Sequence, residues 1–331
     1  MIDINKVAVV SVRQTLEPAF PDSPIKPSTF PIGRDGEGKY VLYQNGDVTD
    51  AVIDTHQSQA NRVEPSFDNT GLIPDHTVKS GEDTLAFTEL GHRVADAAVR
   101  FSDKAEVINT ALTAFAKGNT VPLAKLAPTT LLFGAWDSRA EGKGTKVVRQ
   151  FNSEIRAQNV VEVPTAGQFV SSIPRPADLT NKQLSPEGML DCPYSGLGGV
   201  IVKGDIVRTA TLNVRGIRKM TPQTQEYILG LGLYALTYPV DLDLRADTNL
   251  VITKSEVSVL NEDGTRETIS LTFADAKAFA QQAAAKFGVG ETLKFVYDEG
   301  KALAKLGKQA EASIKKAEKK DGKAKAAKTA E

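Results

Sequence analysis

The sequence predicts an α+β fold whose strands and helices follow a β-α-β-β-α-β order with large insertions. Three observations predict it: β-branched or apolar runs at 47–55, 129–136, 205–217 and 246–260, helical patterning after the first and third of these, and Pro/Gly-rich stretches between them. Val7 to Ala19 alternates as a further strand and runs into a loop, Pro21 to Tyr40, whose proline and glycine density forbids regular structure. Asp47 to Thr55 reads as a strand, followed by a polar helix over His56 to Phe67. Residues 68–127 form an insertion with helical patterning in GHRVADAAVRF and VINTALTAFAKG, stopped at Gly118 and Pro122. Pro128 to Arg139 is expected to be a buried strand, and Lys146 to Gln158 an amphipathic helix. The prolines at 164, 174, 176 and 186 make Val160 to Leu190 a loop-rich excursion or a β-hairpin arm. Asp205 to Ile217 alternates as a strand. The next helix has Thr221 as N-cap and Pro222 at its first position, and it stops before Pro239. Leu244 to Leu260 reads as a strand pair that turns at Asn261 to Gly264 into ETISLTF, and the helix DAKAFAQQAAAKFG leads to a Lys/Ala-rich tail.

This order is that of a ferredoxin-like sheet, a plan that RNA-recognition domains share with many unrelated functions. One such palm would occupy residues 1–290, interrupted at about 68–127 and 139–203, with 291–331 as the tail.

Composition sets the class. At 331 residues, 41% hydrophobic and 24% charged, the chain is an ordinary globular protein, and no apolar run reaches bilayer length. A start without a signal-peptide pattern predicts a cytoplasmic location, and one cysteine excludes an internal disulfide and a cysteine-rich zinc module. The net charge of −1 is unevenly spread: from Lys301 onward ten lysines face four acidic residues, which leaves the body acidic. Any nucleic-acid groove must therefore be a local basic stripe. Two such groups occur. Arg139, Lys143, Lys146, Arg149 and Arg156 are opposed by Glu141 and Glu154, and Lys203, Arg208, Arg215, Arg218 and Lys219 lie along the third strand. They suit phosphate contact, although solvated faces are the commoner use of charge. Phe133 and Trp136 sit in an apolar run and are expected in the core.

Catalytic patterns are sparse. His56, His76 and His92 lack paired zinc spacing, no GxSxG occurs, and the Gly-rich segment from Ser195 to Asp205 lacks the ending of a phosphate loop and reads as a tight turn. No metal or cofactor is expected. Asp54, Asp137 and Asp191 are the carboxylates that a metal-assisted reaction could use, and turn or capping duty is the commoner explanation for them.

The block IDTHQSQANRVEPSF, Ile53 to Phe67, resembles the signature of the backbone subunit of type I-G (formerly I-U) CRISPR Cascade, within the RAMP superfamily. KPSTFP, HRVADA, APTTLLFGAWDSR, VRQFNSEIRA, LNVRGIRKM and LDLRADTNLV follow the same family's order, so the resemblance spans about residues 1–260. It implies a non-catalytic subunit with a palm, inserted fingers and a thumb. Copies would stack head to tail on a CRISPR guide RNA and leave its bases free to pair with target DNA. It further implies partners in a large subunit and a guide-processing, end-capping subunit, with a helicase-nuclease reached indirectly and no membrane. The residues placed on the RNA are Gln59, Asn61, Arg62, Arg93, Arg139, Lys143, Lys146, Arg149, Arg215 and Arg218; capping and buried hydrogen bonding are the alternative for Gln59 and Asn61. Two other readings stand beside this one: a metal-dependent target-RNA ribonuclease, as in type III effectors, and an assembly protein independent of RNA.

Overall fold

The computed structural model describes residues 2–31, 38–138, 144–173, 178–189 and 192–307. It is a mixed α+β structure made of two compact units. The first comprises Met1–Arg62, Phe151–Asn213 and Leu236–Phe273; the second comprises Val63–Gln150, Val214–Ala235 and Ala274–Glu331.

The first unit is built on an antiparallel sheet. Its strands run Asp243–Arg245, Thr248–Asn261, Val7–Pro18, Ile206–Asn213, Phe151–Ala157, Val48–Asp54 and Leu42–Asn45 from one edge to the other, and Arg266–Ile269 also pairs with Thr248–Asn261. Period-two alternation decides which side chains face inward. Val10 lies opposite Leu212, and Val12 and Ser153 lie opposite Ala210; all five are buried, and Ser153 is the polar member among them. Ser11, Arg13, Thr209, Thr211, Asn152 and Glu154 take the intervening positions, which are half-buried or exposed. Leu16, Ile25, Ile53, Ile155, Val200 and Ile206 continue the apolar core. A long hairpin of Val160–Phe169 and Cys192–Val202 connects two of the sheet strands.

Several expectations fail here, among them the absence of regular structure from Pro21 to Tyr40, where Thr29–Pro31 pairs with Gly38–Tyr40. The Val7–Pro18 strand, left outside the four-strand count, is central to the sheet, while 129–136 contributes nothing to it. Pro128 to Arg139 is not one buried strand: Pro128–Phe133 is a helix, and Ala135–Asp137 belongs to a separate hairpin with Thr145–Val147. All six helical residues are buried, so no exposed face was there to mark the helical period. Gly134, at φ 81°, ends that helix; a Cβ there would come within 3.0 Å of the Arg149 nitrogen and the Val147 oxygen. Lys146 to Gln158 is not a helix either. Phe151, Ser153, Ile155 and Ala157 are buried in alternation, and sheet partners on both sides fix this stretch as a strand. The Gly-rich segment after Ser195 forms most of a strand rather than a turn, and the 205–217 strand ends at Asn213, where the short helix Val214–Arg218 begins.

Other elements lie where the sequence put them. The Val48–Asp54 strand passes into the helix His56–Val63 and a 3-10 turn, Glu64–Phe67. The 160–190 excursion takes the hairpin-arm form. The helix Pro222–Thr237 begins on its predicted proline, and the turn at Asn261 to Gly264 joins paired strands.

The second unit is mainly helical. Ala105–Ala116, Val121–Leu126 and Pro128–Phe133 belong to it, and the rings of Phe67, Tyr234 and Phe133 meet within it, with centroids 4.7 Å apart for Phe67 and Tyr234 and 6.4 Å for Phe67 and Phe133. Gly230 allows Pro222–Thr237 to approach Phe273–Phe287, since a Cβ there would stand 3.0 Å from the Ala280 Cα. Thr77–Ser80 pairs with Asp83–Ala86 and, in parallel, with Lys294–Val296.

Candidate nucleic-acid interface

The sheet of the first unit carries a buried ionic cluster centred on Asp54, the last residue of its strand. The Asp54 side chain is 0% exposed. The adjoining helix returns Gln59 and Arg62 onto it: Gln59 Nε2 donates to Oδ2 at 2.7 Å and Arg62 Nε at 3.3 Å. Arg245 Nη2 donates to Oδ1 at 3.2 Å, while its Nη1 donates to the carbonyls of Lys26 at 2.6 Å and Ile53 at 2.8 Å. Gln59 uses its other end as an acceptor, taking hydrogen bonds from Ser153 Oγ and Arg208 Nε, each at 2.9 Å. Antiparallel register sets Gln14 opposite Arg208, whose Nη1 donates to Gln14 Oε1 at 2.9 Å.

Charge in this cluster does not balance. Three guanidiniums, Arg62, Arg208 and Arg245, gather round one carboxylate. Burial lowers the Arg208 pKa to about 10, opposed by the charge of Asp54, so Arg208 remains protonated at neutral pH. Its Nη2 is buried without a hydrogen-bond partner among the described residues. Burial also lowers the Arg245 pKa, with the Asp54 charge opposing and neighbouring Arg62 adding to the effect. Such a surplus is costly inside a protein unless an anion answers it. Arg62 and Arg245 reach solvent, with side chains 24% and 28% exposed, and they carry the positive field outward. Lys26, whose backbone is tied to Thr248 and whose ammonium lies 2.8 Å from Asp247, borders the same shelf. A basic shelf with rigid guanidiniums suits phosphate oxygens.

The residues singled out from the sequence divide between the units. In the first, Gln59 is fully buried and bonded to protein groups, Arg62 joins the shelf, and Asn61 is exposed and accepts from Gln57 at 2.9 Å. In the second, Arg93 is buried at φ 52° and directed to protein acceptors: Nε donates to Glu64 at 2.8 and 3.0 Å and Nη1 to the Gly134 carbonyl at 3.0 Å. Lys146 and Arg149 are exposed on and after the Thr145–Val147 strand, and Arg215 is exposed and Arg218 half-buried on the Val214–Arg218 helix. Arg139 and Lys143 lie outside the described residues. Sequence reasoning missed Gln14, Ser153 and Arg245 as members of the cluster and left Arg208 as one of a basic group. The inward parity of Arg208 in an alternating strand was the available signal. The core expectation holds for Phe133, which is buried, and fails for Trp136, which is 70% exposed on its hairpin.

The carboxylates considered for metal chemistry are placed unequally. Asp54 is already held by two arginines and a glutamine, Asp137 is buried, and Asp191 lies outside the described residues. Among the described residues no group of three or more His, Cys, Asp or Glu side chains could hold a metal ion. No helix among them is long and apolar enough to cross a membrane.

No curated protein matches the chain. Residues 10–162, a little under half of its length, match the family model described as CRISPR-associated protein GSU0053 (Cas_GSU0053). That match takes in Asp54, Gln59 and Arg62 of the cluster described above, and over those residues it agrees with the resemblance to a CRISPR-associated family that the sequence carries.

Proposed function

We propose that the chain is the non-catalytic guide-RNA-binding backbone subunit of a type I-G Cascade, polymerising along the spacer of a CRISPR guide and presenting its bases to target DNA. The observation that carries this reading is the uncompensated positive charge at Asp54, which opens to solvent through Arg62 and Arg245. A protein that grips phosphates there accepts any spacer sequence and leaves sequence choice to base pairing.

The strand order supports a ferredoxin-like palm. Taken in chain order, Val7–Pro18, Phe151–Ala157, Ile206–Asn213 and Thr248–Asn261 stand in the spatial order fourth, first, third, second, every neighbour antiparallel. Helices follow the first and third, in keeping with the β-α-β-β-α-β plan, with the third and fourth strands where they were expected and the first and second supplied by Val7–Pro18 and Phe151–Ala157 in place of 47–55 and 129–136. In this reading the palm falls within residues 1–290, with a finger insertion at about 68–127; the thumb expected at about 139–203 narrows to the Val160–Phe169 and Cys192–Val202 hairpin, because Phe151–Ala157 belongs to the palm, and the basic tail expected at 291–331 starts only after the paired strand Lys294–Val296. Arg62 contacts phosphate directly, with Asn61, Lys146, Arg149, Arg215 and Arg218 and the undescribed Arg139 and Lys143 as further contacts; Gln59 and Arg93 act by holding their neighbours. The partners are the guide, target DNA through it, further copies in a head-to-tail filament whose two faces differ, the large subunit, the guide-processing end-capping subunit and, indirectly, the helicase-nuclease, all in the cytoplasm.

Sequencing RNA that co-purifies with the full chain tests the proposal, with repeat-derived fragments as the expected result. Binding of single-stranded RNA should weaken with salt by about 0.7 in logarithmic slope for each phosphate contact. A chain that binds no RNA at low salt and carries none after purification removes it.

A further inference from the structure

The hairpin of Ala135–Asp137 and Thr145–Val147, in the second unit, has a feature that the guide-backbone reading does not use. Its cross-strand pairs alternate faces: Ala135 with Val147 and Asp137 with Thr145 turn one way, where Val147 and Asp137 are buried. Trp136 lies opposite Lys146 on the other face, and both are exposed. Val148 and Arg149 continue that exposed surface. The ring rests against Gly144, where a Cβ would stand 3.1 Å from the indole nitrogen and 2.7 Å from the Asp137 carbonyl oxygen, so only glycine leaves room for it. The sequence from Arg139 to Arg149 has four cations, Arg139, Lys143, Lys146 and Arg149, against the single acid Glu141.

An indole left in water is a large apolar surface without a burial partner. Flanking ammonium and guanidinium groups state what covers it. A protein partner would need an apolar pocket rimmed with acids, whereas an unpaired nucleotide supplies a π-face and a phosphate together, at the spacing of one residue. We propose that Trp136 is a stacking platform for an unpaired base of a single-stranded nucleic acid, with Lys146 and Arg149 taking the flanking phosphates. The inference rests on the proposed nucleic-acid reading for Lys146 and Arg149 and goes beyond it in giving Trp136 a base to stack on.

Trp136 is the chain's one tryptophan, so emission of the full-length protein excited at the red edge, where tyrosine does not absorb, reports on this ring alone. Poly-uridylate, poly-thymidylate and an abasic strand of equal length are titrated at low salt, with binding followed separately by filter retention. Saturable quenching by the base-bearing strands, and little by the abasic strand at equal occupancy, is expected. Quenching by the ribose strand alone or by the deoxyribose strand alone also supports the platform and assigns its source. Trp136→Ala should weaken binding roughly five- to a hundredfold and Trp136→Phe should retain most of it, as loss and retention of one stacked base require. Retained binding with unchanged emission, equal quenching by the abasic strand, no effect of Trp136→Ala, or quenching by poly-glutamate alone overturns the proposal, as does failure of every strand to bind. Arg62→Gln separates the two readings: it should lower affinity by way of the shelf and leave the quenching amplitude at saturation unchanged.

Discussion

Two buried arginine-carboxylate sites in this chain are built on opposite accounts of charge. In the second unit Glu64 faces one guanidinium, Arg93, in a closed and neutral pair in which a further arginine donor is satisfied by the Gly134 carbonyl. In the first unit Asp54 faces three guanidiniums, one of them with an orphaned donor and two of them open to water. The contrast teaches that burial of an arginine does not by itself mark a binding site. A balanced pair is a strut within the fold, while a site with surplus charge and an outlet is poised for an external anion.

Removing the carboxylate or its partner tests this difference most severely. Asp54→Asn leaves three cations without a counter-charge and should cost about 3–5 kcal/mol, seen as a lower urea midpoint at unchanged m-value. Arg93→Met alone should cost a similar amount, about 3–5 kcal/mol, because it orphans Glu64. Adding Glu64→Gln to Arg93→Met should recover most of that loss, as a strut permits. If the double variant is as unstable as the single one, the closed pair is more than a strut.

Acid should next distinguish the units. Burial lowers the His76 pKa to about 4, and His76, in the second unit, packs against Phe87 and Phe295 while its Nδ1 accepts from the Leu293 amide at 2.9 Å. Its folded pKa lies below the unfolded value of about 6.5, so the unfolded chain binds the extra proton first. The resulting stability is complete above that value and declines as pH falls toward 4, by on the order of 3 kcal/mol. Urea unfolding across that window should show the loss, and His76→Phe should flatten it. An unchanged slope in His76→Phe would remove His76 as its source.

A smaller effect sharpens the open site. Arg62→Gln and Arg245→Gln should each reduce the salt slope of RNA binding by about 0.7, with weaker affinity for every sequence alike. Asn61→Ala is the mildest test: its side chain accepts a hydrogen bond from Gln57 at the surface, so thermal stability should move by no more than about 0.5 kcal/mol. Any loss of RNA affinity at Asn61 then reports contact rather than folding.

Legibility followed the way each element is stabilised. Val48–Asp54 and the helix after it are visible because a β-branched run meets a polar helix start, and Pro222 marks its helix by its own chemistry. Pro128–Phe133 is buried on every side and offers no period to read, while Lys146 to Gln158 carries charges whose spacing fits a helix as well as one face of a strand. Three of the seven cluster residues were legible for the same reason. Gln59 and Arg62 stand within a turn or two of Asp54, whereas Gln14, Ser153, Arg208 and Arg245 come from four other strands. Trp136 shows the limit in reverse: an apolar neighbourhood in sequence predicted burial, and hairpin parity turned the ring outward.

By itself the amino-acid sequence determined the α+β class, the strand-helix unit around Asp54, the acidic body with its local basic groups, and the family resemblance, because these depend on residue order and short-range periodicity. Only the tertiary structure decided that Val7–Pro18 is central, that three arginines share one carboxylate, and that the lone tryptophan meets solvent. Those facts depend on which strands pair and in what register, and a one-residue slip would exchange every inward side chain for its outward neighbour.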